Sequence, residues 1–76
     1  MQEILLKKLL ISFPDADIEL KGHSEDVNNN KYDLQITSSL FTGLSKVKQH
    51  QLVYRVLNEY LISGKIHAIS LLTLEK

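Results

Sequence analysis

Apolar residues change their spacing from one stretch of this chain to the next, and each spacing predicts an element. Over residues 2–13, QEILLKKLLISF, the residues Ile4, Leu5 and Leu9, with Leu6 and Phe13, gather toward a core. Lys7 and Lys8 face water, which is the stripe of a surface helix. Pro14 disfavours helical backbone at Phe13, and Asp15 and Asp17 suit a turn. The period then becomes two: Ala16, Ile18 and Leu20 alternate with Asp17, Glu19 and Lys21, predicting a half-buried strand. Residues 31–38, KYDLQITS, alternate again through Tyr32, Leu34 and Ile36. The two runs predict an antiparallel hairpin. The stretch between them, GHSEDVNNN, holds His23, two acids and three asparagines and predicts a long loop.

Next, SLFTGLS predicts a short helical turn or loop, with Gly43 serving close packing or a special backbone angle. The longest signal covers residues 45–64. Leu52, Val53, Val56, Leu57, Tyr60 and Leu61 recur as one buried helix face, with Ser45 as N-cap and Gly64 as the terminator. Lys46, Lys48, Arg55 and Glu59 fall on the remaining surface. IHAISLLTL predicts a last strand covered on at least one face. The order is therefore α-β-β-α-α-β. A strand, a helical crossover and a further strand in one sheet run parallel. The prediction is an α+β two-layer sandwich: a three-stranded mixed sheet with the helices on one face.

Composition narrows the function. Seventy-six residues make a single domain spanning 1–76, whose core must be small. With 43% hydrophobic and 24% charged residues, the chain belongs with globular proteins and not with disordered ones. No apolar run is long enough to span a bilayer, and the acidic and basic residues near the start suit an amphipathic helix better than a secretory signal. The expectation is a cytoplasmic protein without a membrane partner. Nine basic residues balance nine acidic ones, whereas a dedicated nucleic-acid binder usually carries a basic excess. Cysteine is absent, which excludes disulfides, thiol chemistry and thiolate metal ligands from this chain.

Three histidines remain as candidate chemistry. No nucleophile–base motif, phosphate-binding glycine loop or HExxH signature accompanies them, so neither an enzyme nor a small-molecule substrate is expected. His67 opens the last strand, and the residues alone leave three readings open: a polar group bonded to backbone or water, a base, or a metal ligand. Isolated histidines seldom bind metal. His23 reads equally as a solvated loop residue, and His50 lies inside the long helix.

Phe41-x-Gly43-x-Ser45-x-Val47-x-x-His50-x-x-Val53-Tyr54, followed after a helix by Ile66-His67-Ala68, resembles the BolA-like family in order and spacing. The resemblance extends through LLISFPDADIELKG and from Tyr32 to Thr73. It implies the α-β-β-α-α-β arrangement of that family, which is similar to the type II KH fold. It also implies a non-enzymatic partner of a monothiol glutaredoxin that shares a [2Fe–2S] cluster, in iron–sulfur trafficking or iron and redox sensing. The glutaredoxin cysteine and a glutathione thiol hold one side of the cluster, and no cofactor is expected in the isolated protein. The family's C-terminal histidine falls on His67, and its second ligand comes from the loop where this chain offers His23. The chain departs from many relatives in carrying Lys31-Tyr32 where they have HF or HY, so that position offers no imidazole.

The same resemblance implies a second role, because some BolA-like proteins are described as transcriptional regulators. Here the helix–turn–helix-like segment 41–55 would offer DNA the side chains Lys46, Lys48, His50 and Arg55, with Lys65 just beyond, and the same residues are equally a candidate partner surface. A solvated basic helix face is the plainer reading of those residues. A KH-type GxxG loop is absent, since Gly43-Leu44-Ser45-Lys46 has only its first glycine.

Overall fold

A computed structural model describes residues 2–23 and 31–76, with His23 described by its backbone alone. The elements follow the order α1 (Gln2–Ser12), β1 (Asp17–His23), β2 (Lys31–Ser38), a 3₁₀ turn (Ser39–Phe41), α2 (Lys46–Ile62) and β3 (Ala68–Glu75). The sheet order is β1-β2-β3. β1 and β2 are antiparallel, while β2 and β3 are parallel. The fold is the expected α+β arrangement, with the second of its three helical elements reduced to one 3₁₀ turn.

The core lies between the helices and one face of the sheet. Leu5, Leu9 and Phe13 of the first segment meet Leu34 and Ile36 of β2, Phe41 of the 3₁₀ turn, Val53 and Leu57 of α2, and Ile66. Each fully buried side chain of this size contributes roughly 2 kcal/mol. The Phe13 and Phe41 rings lie 5.3 Å apart at a tilt of 53°. The predicted α2 stripe is present: Val53 and Leu57 are buried, and Leu52, Val56, Tyr60 and Leu61 pack against them.

The α1 stripe needs a correction. Ile4 is 53% exposed and lies outside the core. Its neighbour Leu5 starts the buried line Leu5–Leu9–Phe13, and one residue of helix rotates a side chain about 100° away from that line. Leu6 is half-buried. Helix α1 ends at Ser12, one residue short of the predicted end, although Phe13 N–H still donates to Leu9 O at 2.7 Å.

Two polar arrangements join segments that sequence periodicity does not connect. The Asp15 carboxylate accepts from Ser38 Oγ at 2.8 Å, from Ser39 N–H at 2.9 Å and from the Ser39 hydroxyl. These donors hold its pKa down at about 2, the Ser39 hydroxyl first among them. Gln49, buried within α2, donates from Nε2 to Leu44 O at 2.8 Å and to Phe41 O at 3.3 Å. Its Oε1 accepts from Thr73 Oγ1 at 2.7 Å. Among the described residues no buried side-chain nitrogen or oxygen lacks a partner.

Both ends of α2 are as expected. Ser45 caps its start, accepting from Lys48 N–H at 3.3 Å. Gly64 follows its end at φ +77°, the left-handed conformation that a side chain disfavours. Gly43 also has positive φ, and a Cβ there would meet nothing within 4 Å. Of its two predicted roles, the special backbone angle is the one present. Among the described residues no helix is long and apolar enough to cross a membrane.

Candidate functional site

Strand direction decides which residues share an end of the sheet. Because β1 runs against β2 and β3 runs with it, the last residue of β1 and the first residues of β2 and β3 come together. His23 pairs with Lys31, and Lys31 pairs on its other side with Ala68, the residue after His67. Neighbouring strands lie about 4.8 Å apart, so the backbones of His23 and Ala68 are separated by about 10 Å.

His23 therefore ends a strand, where a position inside the loop had been expected. Its backbone continues the β1–β2 ladder one step beyond Gly22↔Tyr32. The remaining residues of the expected loop, 24–30, lie outside the described residues.

His67 is fixed from both sides. Ile66 is buried in the core, and its N–H donates to Tyr60 O at 3.1 Å. Ala68 is held in the sheet by its register with Lys31. Between these anchors His67 is exposed, immediately before β3 begins. The turn that delivers it is closed by Ser63 N–H to Glu59 O at 3.1 Å and Gly64 N–H to Leu61 O at 3.3 Å.

The third histidine is elsewhere. His50 is half-buried in the first half of α2, its ring 6.5 Å from that of Tyr54 and nearly perpendicular to it at 72°. Its neighbour Gln49 is bonded to Thr73, which stands about 17 Å along β3 from Ala68. His50 thus has an aromatic partner and no place beside His67. Among the described residues no three histidine, cysteine, aspartate or glutamate side chains converge. A metal centre ligated by the described residues alone would need further donors.

The expected basic surface is divided. Lys46 Nζ donates to the backbone carbonyl of Thr73, so this side chain is directed to β3. Lys48 and Arg55 stand two turns apart on the outward face of α2, opposite buried Val53 and Leu57. Arg55 also borders a groove of 560 Å³ shared with Lys8 and Ile11 of α1. Lys65 lies past the other end of this helix, which is about 26 Å long. A second depression, of 310 Å³, occupies the uncovered sheet face around Glu19, Asp33 and Ser70, away from the helical layer.

The segment from Pro14 onward matches a known family. A model described as BolA-like protein covers residues 14–76. The chain belongs to the BolA-like family. Across 72 residues it is 38% identical to an uncharacterized protein, RP812, of Rickettsia prowazekii, covering 95% of this chain and 86% of that protein. The NMR structure of RP812, described as a BolA-like hypothetical protein, superposes with a TM-score of 0.72 over 100% of this chain and 95% of that one. An uncharacterized protein in the rpoN-murA intergenic region of Acinetobacter guillouiae is 35% identical over 97% of this chain and 83% of its own length. The BolA domain of SufE1 from Arabidopsis thaliana superposes with a TM-score of 0.84 at 28% identity, covering 96% of this chain and 88% of that one.

Periodicity identified His67 and His23 as polar residues near strand ends but could not pair them. That pairing depends on the parallel register of β2 and β3. Gln49 was missed as well, because a glutamine on a helix carries no signal until its partner Thr73 is known.

Proposed function

We propose that this BolA-like protein is a non-enzymatic partner of a monothiol glutaredoxin and shares a [2Fe–2S] cluster with it through His67 and His23. The observation that carries the reading is the register at the sheet end, which brings the backbones of His23 and of Ala68, the residue after His67, to either side of Lys31. The thiol-free composition supports it, since an iron held here by imidazoles needs thiolates from elsewhere. So does family membership, which the resemblance in the sequence had linked to this role.

The cluster is cargo passed between proteins, and the donor set suits it. Two imidazoles can ligate one iron while thiolates hold the other, an arrangement that raises the reduction potential relative to all-thiolate ligation. The chain's own contribution is positional. Ile66 and Ala68 fix the backbone on both sides of exposed His67, so little further ordering is required when it ligates. Coordination needs neutral imidazoles, and the shared state is therefore expected to weaken in acid. Adding the protein to a cluster-loaded glutaredoxin with glutathione should change its visible absorption and circular dichroism, and His67→Ala should remove that change.

Nucleic-acid binding is the second reading. It is favoured by one observation, the shared outward face of Lys48 and Arg55. Engagement of Lys46 by Thr73 O weakens it, by withdrawing one of the cations that phosphates would use.

A further inference from the structure

Three isoleucines stand exposed on the outer surface of the helical layer: Ile4 at 53%, Ile11 at 78% and Ile62 at 77%. Single exposed apolar residues are ordinary, but clustered ones mark interaction surfaces. Ile4 and Ile11 share one line of α1, two turns apart and turned about 100° or more away from the buried Leu5–Leu9 line. Ile62 continues the outward line of α2 that begins with Lys48 and Arg55.

The packing of the helices brings these lines together. Lys8 Nζ meets Glu59 Oε1 at 3.0 Å, and Ile11 and Ser12 border the same groove as Arg55. The helices are therefore antiparallel, with Ile4 and Ile62 at the same end of the layer. That end also carries the histidines. The Gln2 side chain closely approaches Gly22, beside His23, and Ile62 leads through the Gly64 turn to His67.

Charge on this surface is one-sided. Lys7, Lys8, Lys48, Arg55 and Lys65 are exposed on it against Glu3 and Glu59, and Lys8 already pairs with Glu59. In the sheet, Asp17, Glu19, Asp33 and Glu75 stand against Lys21 and Lys31. The net charge of zero thus conceals a basic helical layer over a sheet with a small acidic excess.

We infer that the corner formed by Ile4, Ile62 and their surrounding cations docks a partner protein that presents an apolar patch with an acidic rim. The glutaredoxin of the proposed function is that partner, and in this respect the inference rests on that reading. A nucleic acid would use the cations but gain little from the isoleucines. A second copy of the chain docking by the same face would oppose like charges.

Calorimetric titration of the 76-residue chain with a purified monothiol glutaredoxin, free of cluster, tests the surface separately from ligation. Ile62→Glu and Arg55→Glu are each expected to weaken binding by about tenfold or more. Added salt should weaken the wild-type complex. Leu72→Glu, on the uncovered sheet face, should bind as wild type. Circular dichroism of each variant confirms that it is folded. Wild-type affinity in folded Ile62→Glu, an equal loss in Leu72→Glu, or no binding by the wild type would overturn the inference. Ile62-dependent binding without any cluster spectral change would uphold the surface and remove the cluster reading. A His67-dependent spectrum indifferent to Ile62→Glu would do the reverse.

Discussion

Thr73 Oγ1 donates to Gln49 Oε1 at 2.7 Å within the core, where both side chains are buried. Through its amide nitrogen the same glutamine reaches Phe41 O and Leu44 O. One side chain therefore ties the 3₁₀ turn, the loop after it and α2 to the far half of β3. Thr73→Val leaves Gln49 Oε1 without its donor and should cost about 1–2 kcal/mol. Gln49→Leu takes the amide donor from Leu44 O and the acceptor from the Thr73 hydroxyl, while Phe41 O keeps Leu44 N–H, and should cost more, about 3 kcal/mol. Urea unfolding, with midpoint and slope both followed, measures each loss.

Asp15 makes stability sensitive to acid. Its carboxylate is held at about 2 by the Ser39 hydroxyl, Ser39 N–H and the Ser38 hydroxyl. A carboxylate depressed in the folded state stabilises fully above its unfolded pKa of about 4. That contribution is lost as pH falls from about 4 toward 2. Asp15→Asn should lower stability near neutrality and flatten the decline over that window. Thermal unfolding of both proteins at a series of acidic pH values checks this.

These two arrangements also mark the limit of what the sequence makes legible. The α2 stripe and the bounds of β2 can be read because burying one face imposes a period on the residues themselves. Ile4 was misassigned because α1 has apolar residues on several sides, including Leu10 and Ile11, and the position of the sheet selects the Leu5–Leu9 line. Asp15 and Gln49 find their partners more than twenty residues away, beyond any local pattern. The direction of β3 was legible from the crossover, but the pairing of Lys31 with both His23 and Ala68 required the register itself.

Gly64 tests the turn that delivers His67. With φ at +77° and nothing within 4 Å of an added Cβ, the cost of a side chain there lies in the backbone alone. Gly64→Ala should destabilise by about 1–2 kcal/mol. Gly64→Asn should cost less, because asparagine visits the left-handed region more readily. Denaturant midpoints of the two variants provide the comparison.

If DNA is a ligand, Lys48 and Arg55 carry the contact. Their joint replacement, Lys48→Glu with Arg55→Glu, should abolish retention of duplex DNA at low salt, and wild-type affinity should fall steeply as salt rises. Lys46→Ala should have the smaller effect on DNA, since Lys46 is bonded to Thr73 O. Gel shifts across a salt series read both outcomes, and no wild-type binding at low salt removes the reading.

The central claim concerns His67, and one titration addresses it most directly. A cluster-loaded monothiol glutaredoxin with glutathione is titrated with the wild-type chain and with His67→Ala, and visible circular dichroism is followed. The account predicts a new, saturable spectrum with the wild type and its loss in a His67→Ala protein that remains folded. A spectrum unchanged by the wild type, or changed equally by both proteins, would contradict it.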